Sequence, residues 1–372
     1  MRKTKILYFQ LEPTIGGIET FLINLYNKID KNKFQLDFVA NTSNINSLPY
    51  LDKLKGANIF PISDFKNITQ YVKNINNILN RKYDIVHFNK NSNANIIPLF
   101  LAKHNKNVGK IIVHSHNTNP SSGKKILQLL HYINKPYVDR IADYKIACSS
   151  AAAKWLFTSN DIEIIKNGID VRKYLFSTDK RCRIREKYGI PLDSTVIGFV
   201  GRFTHQKNLP FLIDIFNKYQ ELNPNSYLLL VGDGVEKKAV SQKVARLNIN
   251  KKVLFTGEKM NIIDYLDAMD IFVMSSFYEG LPISCIEAQA SGLNTFISDT
   301  ISDEVKLLSN LKQFDLHEGA EKIAQSIFNT KISSEEKRYL QNSVVYNKYD
   351  ITKTVSSIND LYNRITEEKN ND

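Results

Sequence analysis

The segment SFYEGLPISCIEAQASG, residues 276–292, is the most informative part of this chain. Pro282 suits the first turn of a helix, because the N–H that proline lacks would have no partner at that position. The residues after Pro282 carry apolar groups at helical spacing, and Gly292 is a typical residue just beyond a helix C-terminus. We therefore predict a helix over Pro282–Ser291.

Two carboxylates lie on either side of the predicted helix start. Glu279 precedes the helix in a loop, and Glu287 lies about one and a half turns inside it. A helix N-terminus presents free N–H groups and a partial positive charge, which favour a bound phosphate group. Acidic side chains that flank an anion site suit a ligand with hydroxyl groups beside a diphosphate. The segment therefore indicates a nucleotide-sugar site.

Five further short motifs occur along the chain. They are Gly16-Gly17-Ile18-Glu19, His114-Ser115-His116-Asn117, Asn167-Gly168-Ile169-Asp170, Gly201-Arg202-Phe203 with Lys207-Asn208, and Val231-Gly232-Asp233-Gly234. Together with the E-x7-E spacing of Glu279 and Glu287, this ordered set resembles the motifs of glycosyltransferase family 4, a family of retaining enzymes with the GT-B fold. The HSHN form of the histidine motif resembles enzymes of capsular and other surface polysaccharide synthesis. Each motif alone is a weak signal, whereas the ordered set is specific.

The resemblance implies an α/β protein with two Rossmann-like domains that face a central cleft. It assigns residues 1–175 to an acceptor-side domain and residues 176–349 to a nucleotide-sugar-binding domain. A C-terminal helix, about residues 350–372, is expected to cross back to the N-terminal domain. The hydrophobic pattern agrees with this architecture, because short apolar segments alternate with amphipathic stretches in both halves, as in parallel sheets flanked by helices. The polar, charged segment between Asn167 and Pro191 is the expected boundary.

The resemblance also assigns roles to individual residues. His116 and Glu279 are the expected catalytic residues, and the expected nucleotide-sugar-binding residues are Gly16, Gly17, Arg202, Lys207, Gly280, Leu281, Pro282 and Glu287. Two cations near the end of a strand suit a diphosphate, whose negative charge grows as the glycosidic bond breaks. Glu287 would accept hydrogen bonds from the ribose hydroxyls, and Glu279 would contact the hydroxyls of the transferred sugar. The family histidine is placed at His116 rather than His114, and His114 remains the alternative.

No cofactor and no metal ion are expected. The chain contains no Asp-x-Asp pair of the kind that holds a divalent ion on a diphosphate in many other glycosyltransferases. Arg202, Lys207 and the helix N-terminus can supply the compensating charge. The glycines lack the G-x-G-x-x-G spacing of dinucleotide-binding proteins, and no phosphate-binding loop of the G-x-x-x-x-G-K-[ST] type is present.

The charge of the chain is divided unevenly. Residues 1–185 contain 29 Lys and Arg against 13 Asp and Glu, whereas the remainder contains 21 against 25, which together give the net charge of +12. This asymmetry indicates an anionic partner: nucleic acid, an anionic membrane surface or a lipid diphosphate acceptor. A solvated basic surface is the plainer alternative. No signature of a nucleic-acid-binding module is visible, so no nucleic-acid partner is expected.

No apolar run is long enough to cross a bilayer, and the apolar segment after the basic start is too short for a signal peptide. We expect a cytoplasmic protein that associates peripherally with the inner face of the cell membrane. The expected reaction is transfer of a sugar, with retention, from a UDP-sugar to a polyprenyl-diphosphate-linked acceptor in capsular or exopolysaccharide synthesis. The alternatives are a non-hydrolysing UDP-N-acetylglucosamine 2-epimerase and a non-enzymatic basic binding protein of the same fold.

Overall fold

The computed structural model describes residues 2–117 and 125–371. Its contacts divide the chain into two compact units, Met1–Ile169 with Ile351–Asp372 and Asp170–Asp350. The division falls inside the Asn-Gly-Ile-Asp motif, whereas the sequence places it between residues 175 and 176. The first unit is discontinuous in sequence, and its two parts join where the Ile351 N–H donates to the Ile169 carbonyl at 2.8 Å.

The described part of the first unit is built on a seven-stranded parallel sheet. The strands are β1 Thr4–Leu11, β2 Phe34–Ala40, β3 Ile59–Pro61, β4 Tyr83–Lys90, β5 Val108–Ser115, β6 Tyr144–Ala147 and β7 Glu163–Ile164. Their order is β3-β2-β1-β4-β5-β6-β7. The order in which strands are added to the sheet therefore reverses between β1 and β4. In such sheets, ligands bind beyond the carboxyl ends of the strands at this point.

Helices cover both faces of this sheet. They are α1 Gly17–Lys28, α2 Ile68–Leu79, α3 Ile97–Lys103, α4 Lys125–Ile141, α5 Ser150–Leu156 and the C-terminal helix Ile351–Asn371. Alternate residues of β1 enter two separate cores, because successive side chains of a strand point to opposite faces. Ile6 and Tyr8 pack with α1 and the C-terminal helix, whereas Leu7 and Phe9 pack with α2, α3 and α4.

The second unit repeats the architecture with six described strands. The strands are β8 Thr195–Val200, β9 Ser226–Val231, β10 Val253–Gly257, β11 Ile271–Met274, β12 Asn294–Ser298 and β13 Leu311–Phe314, in the order β10-β9-β8-β11-β12-β13. The helices are α6 Thr178–Lys187, α7 Leu209–Leu222, α8 Lys237–Arg246, α9 Ile263–Ala268, α10 Ile283–Ala290, α11 Ala320–Phe328 and α12 Glu335–Tyr349. In this sheet the strand order reverses between β8 and β11, so the loops that follow these two strands are neighbours.

One expectation needs correction. The helix predicted over Pro282–Ser291 forms over Ile283–Ala290, and Pro282 is its N-cap in an extended conformation rather than a residue of its first turn. The division between Ile169 and Asp170 lies within the predicted boundary segment, Asn167 to Pro191. The rest of that segment contains α6, a helix of the second unit in which Arg185 is buried whereas Arg183 is exposed.

Asp270 holds α6 in place. Its Oδ2 accepts from Arg185 at 2.8 Å and its Oδ1 from Arg181 at 2.7 Å, and the Val196 N–H also donates to Oδ2. Arg185 is fully buried. Its remaining N–H groups donate to the backbone carbonyls of Pro191, Leu192, Ser194 and Ala268. Because every partner lies outside α6, a hydrophobic pattern could not reveal this helix.

Arg185→Ala should destabilise the protein by about 3–5 kcal/mol, because it leaves the Asp270 carboxylate buried without its main partner. Arg183→Ala is the matched control, since Arg183 is 64% exposed in its ion pair with Asp264, and it should cost less than about 1 kcal/mol. Urea unfolding of the variants measures both. Equal unfolding midpoints for the two variants would contradict the anchoring role of Arg185.

Candidate active site

The loops after β8 and β9 are locked together by a backbone contact. Gly232 has a φ of +142°, and a Cβ atom at this position would lie 1.9 Å from the Gly201 carbonyl oxygen. Only glycine fits so close an approach. The contact fixes the course of the chain from Gly201 into the short turn His205–Lys207, which Asn208 connects to α7.

A buried ion pair joins the loops after β8 and β11. Lys207 Nζ donates to Glu279 Oε1 at 2.6 Å, and the two side chains are 15% and 8% exposed. The pair forms because β8 and β11 are adjacent strands whose carboxyl ends lie at the same edge of the sheet. The structure thus brings together two residues that lie 72 positions apart in the sequence.

Further hydrogen bonds fasten the same two loops. The Ser275 hydroxyl donates to the Asn208 carbonyl at 3.0 Å. The Gln206 side-chain amide donates to the Tyr278 carbonyl at 2.9 Å, and the Phe277 N–H donates to the Gln206 carbonyl at 2.8 Å. Lys207 and Glu279 therefore project from a rigid pair of loops, which favours a preorganised site.

The other predicted residues of this unit lie around the ion pair. Gly280, Leu281 and Pro282 are buried and lead from Glu279 into α10. Arg202 is exposed on the loop after β8, and no hydrogen bond among the described residues joins it to the ion pair.

Glu287 lies inside α10 and is 5% exposed. The Tyr174 hydroxyl donates to its Oε1 at 2.6 Å. Burial raises the pKa of Glu287 from 4.5 to about 7, and the hydrogen bond from Tyr174 opposes this shift. The carboxyl group is therefore close to half protonated at neutral pH. A ligand that donates hydroxyl hydrogen bonds to it would favour the charged form.

In the first unit, His116 follows β5 and has partners for both ring nitrogens. Its Nε2 lies 2.8 Å from Asn89 Oδ1, and its Nδ1 lies 3.1 Å from Asn167 Nδ2. These partners assign the proton to Nε2, because Asn89 offers an acceptor and Asn167 a donor. Burial lowers the pKa of His116 to about 3, so the ring is neutral. His114 is fully buried whereas His116 is half-buried, which favours His116 as the ligand-contacting residue.

A chain of buried polar side chains lies behind His116. The His114 ring centroid is 3.9 Å from that of His116, and His114 Nδ1 lies 3.4 Å from His87 Nε2. His87 Nδ1 lies 2.9 Å from the Tyr362 hydroxyl, which is hydrogen-bonded to the Tyr8 hydroxyl. Burial lowers the pKa of both His87 and His114. The histidine motif is thus connected to the C-terminal helix by groups that stay neutral.

The glycine loop of the first unit is held by a glutamate side chain. The Gly16 N–H donates to Glu19 Oε2 at 2.8 Å, and the Glu12 N–H donates to Glu19 Oε1 at 3.2 Å. The Gly16 N–H is therefore bonded within the chain, as part of the cap of α1, and the binding role of Gly16 stays a prediction. Gly17 is exposed as the first residue of α1, and its binding role stays a prediction.

Several residues of the site are absent from the sequence-based prediction. Tyr174 precedes Glu287 by 113 positions, and no pattern around either residue connects them. Glu19 belongs to a motif that we quoted, but the pattern does not show that its carboxylate folds back. Asn89 is an ordinary strand residue until β4 and β5 pair in register and bring it near His116.

Two further observations concern the described residues alone. No group of three or more His, Cys, Asp or Glu side chains in residues 2–117 and 125–371 could hold a metal ion, and metal independence stays a prediction. Within the same ranges no helix is both long and apolar enough to cross a membrane.

Comparison with known proteins identifies the family. The family model described as Glycosyltransferase Family 4 matches residues 15–173, and the model described as Glycosyl transferases group 1 matches residues 180–336. One relative is EpsF of Bacillus subtilis (strain 168), whose full name is "Putative glycosyltransferase EpsF". The two sequences are 31% identical over 374 residues, which cover 96% of this chain and 95% of EpsF. The chain belongs to glycosyltransferase family 4.

Two other proteins resemble this glycosyltransferase over nearly its whole length. An Escherichia coli enzyme named UDP-Gal:alpha-D-GlcNAc-diphosphoundecaprenol alpha-1,3-galactosyltransferase is 24% identical, and the alignment covers 97% of both chains. The crystal structure of Anabaena Alr3699/HepE in complex with UDP-glucose superposes with a TM-score of 0.79 at 18% identity, covering 97% of this chain and 99% of HepE. The predicted GT-B fold class and the assignment as a transferase enzyme are confirmed.

Replacing Glu287 with Gln removes a charge whose burial opposes folding. Because the pKa of Glu287 is raised from 4.5 to about 7, the destabilisation by the charged form grows with pH across this interval. We expect Glu287→Gln to be more stable than the wild type by on the order of 2–3 kcal/mol at about pH 8, with no gain near pH 4. Thermal unfolding across this pH range measures the difference.

Glu221→Gln is the control, because Glu221 forms an exposed surface ion pair with Lys218. It should not reproduce the pH-dependent gain. If Glu287 accepts from ribose hydroxyls as predicted, the more stable Glu287→Gln variant should bind UDP about tenfold more weakly by calorimetry, since a neutral amide is a weaker acceptor. A stability gap that stays constant with pH would contradict the raised pKa.

Proposed function

We propose that this glycosyltransferase transfers a sugar from a UDP-sugar to a polyprenyl-diphosphate-linked saccharide, with retention of anomeric configuration, in capsular or exopolysaccharide synthesis. The observation that carries the proposal is the buried Lys207–Glu279 pair at the start of α10. The E. coli relative, named for a UDP-Gal donor and a diphosphoundecaprenol-linked acceptor, supports both substrate classes. The structural likeness to HepE with UDP-glucose supports the donor class.

Lys207 is suited to act between two anions. In the structure its ammonium group pairs with Glu279. The cation is therefore already in position, in a site largely shielded from water. A donor diphosphate would share this cation, and the attraction would strengthen as charge develops on the leaving phosphate. Arg202, exposed on the same loop, would close around the diphosphate from the solvent side. Catalysis would then rest on positioning and on stabilisation of phosphate charge.

Glu279 is poorly suited to be a covalent nucleophile, because its Oε1 is hydrogen-bonded to Lys207 at 2.6 Å. We assign its carboxylate to the hydroxyls of the transferred sugar. Retention would follow from attack on the same face, with the leaving phosphate accepting the acceptor's proton. For the first unit we keep the role that the family resemblance gives to His116, contact with the transferred sugar. Its neutral ring adds no cation there.

Glu287 is assigned to the ribose. Tyr174 donates to one carboxylate oxygen and orients the group. The other oxygen would accept from the ribose hydroxyls. Because these hydroxyls favour the charged form of a carboxyl group whose pKa is raised, UDP binding should release a proton near neutral pH.

The lipid-linked acceptor places the reaction at a membrane surface. The excess of cations in residues 1–185 supports a peripheral association with anionic lipid at the inner face of the membrane. Neither the 2-epimerase nor a non-enzymatic binding protein is favoured by a specific observation, because the family match covers both units.

Incubation with UDP-, GDP- and ADP-sugars tests the proposal. We expect UDP release that depends on a polyprenyl-diphosphate-linked saccharide and persists in EDTA, together with a lengthened lipid-linked product detected by mass spectrometry. Formation of a new free UDP-sugar without acceptor would instead identify an epimerase. Absence of nucleotide release with every donor would remove the proposed activity.

Lys207→Ala tests the ion pair. The variant should lose stability because Glu279 stays buried and charged without its partner, and turnover should fall at least about 100-fold with weaker UDP binding. The double variant Lys207→Ala/Glu279→Gln should regain most of the stability but not the UDP affinity. Recovery of UDP affinity in the double variant would show that Lys207 acts only on Glu279 and not on the diphosphate.

Glu279→Gln alone separates sugar contact from nucleotide contact. It should lower kcat far more than it weakens UDP binding, because the substituted group contacts the transferred sugar. Steady-state kinetics and calorimetry with UDP measure the two effects. Equal losses in both would place Glu279 on the nucleotide instead.

A further inference from the structure

Helix α4 exposes an unusually apolar face. Six of its large apolar side chains are between 37% and 59% exposed: Ile126, Leu129, Leu130, Tyr132, Ile133 and Tyr137. Single exposed apolar residues are ordinary on protein surfaces, but a contiguous set on one helix marks an interaction site.

Helical geometry places most of this set on one stripe. Residues 126, 129, 130, 133 and 137 fall within an arc of about 100° at 3.6 residues per turn. The helix packs on its own unit through a different side, where His131, Val138 and Ile141 are buried. α4 is therefore apolar on two faces, and within residues 2–117 and 125–371 only one of them is packed on the fold.

The surroundings of the exposed face are cationic. α4 lies next to α5. The ring centroids of His131 and Trp155 are 3.8 Å apart in a stacked arrangement, and Lys135 Nζ donates to the Lys154 carbonyl at 2.7 Å. α4 also packs against α3. The charged residues of these three helices are Lys103, Lys125, Lys135, Arg140 and Lys154 against Asp139. Lys103 forms an ion pair with Asp143, and Asp139 forms one with Lys145 and accepts from the Thr158 and Ser159 N–H groups. The balance at this surface therefore stays cationic, through Lys125, Lys135, Arg140 and Lys154.

The apolar stripe and the cations around it together indicate what binds to this face of α4. Two copies that met through α4 would bring two cationic surroundings together, which opposes a symmetric dimer. An anionic bilayer surface complements both features, because the apolar stripe can enter the boundary between headgroups and acyl chains while Lys and Arg reach the lipid phosphates. Tyr132 and Tyr137 suit the same boundary, since tyrosine is enriched where one end of a side chain is apolar and the other is wet.

We propose that α4, with the basic residues of α3, α4 and α5, is the surface by which this protein docks on anionic membranes. The inference rests on the proposed function in that a lipid-linked acceptor requires access to the membrane. It does not depend on which sugar is transferred, because the docking surface lies on its own helix and not on the predicted donor-binding residues.

Vesicle flotation without nucleotide tests the surface. The wild-type protein should float with vesicles of phosphatidylcholine and phosphatidylglycerol, but not with phosphatidylcholine alone, and high salt should reduce the binding. Ile126→Gln/Ile133→Gln should weaken partition onto the anionic vesicles by about tenfold or more. The control Leu192→Gln/Leu340→Gln replaces two similarly exposed apolar residues of the second unit and should bind as the wild type does.

Two outcomes would overturn the proposal. Unchanged flotation of the α4 variant would remove α4 from membrane contact. A wild-type protein that ignores both vesicles and forms a dimer that the variant dissociates would make a second copy the occupant. UDP affinity and thermal stability of the variant should equal those of the wild type. If no UDP-sugar is used but vesicle binding follows the pattern above, the proposed function fails while the docking surface stands.

Discussion

The buried contact between Lys207 and Glu279 is the interaction on which the candidate site depends. Removing two charges from water is costly, and the attraction between them compensates only when the geometry is good. The parallel sheet provides that geometry, because the reversal of strand order makes the loops after β8 and β11 neighbours. Backbone hydrogen bonds between the same loops then hold the pair in place before any ligand arrives. The two charged groups therefore have fixed positions at the strand ends.

In the first unit, the buried histidines beside His116 are neutral. His87, His114 and His116 lie close together, and burial lowers the pKa of all three. Their hydrogen bonds run to Tyr362 and Asn89 rather than to carboxylates. The second unit therefore carries a buried ion pair at its strand ends, and the first carries neutral histidines beyond the end of β5.

The sequence predicts the repeated α/β pattern and most site residues of the second unit, because short motifs at strand ends are local features. It does not predict Tyr174 as the partner of Glu287, the folding back of Glu19 onto the Gly16 N–H, or α6. Tyr174 and Glu287 are distant in sequence, and α6 is anchored by a buried charged residue rather than by an apolar stripe. Glu19 is close to Gly16 in sequence, but the motif alone does not show which way its side chain turns. Arg185 illustrates the limit, since a charged residue in a polar stretch is fully buried.

The hydrogen bond between the Ile351 N–H and the Ile169 carbonyl has a consequence for how the protein matures on the ribosome. The second unit is inserted into the first, and the first needs residues 351–372 to complete its core. The inserted unit emerges complete before that segment is synthesised, so it can fold while the earlier-made unit still lacks one wall of its interior. Folding from the N-terminus onward, the usual order in multidomain chains, would here be reversed.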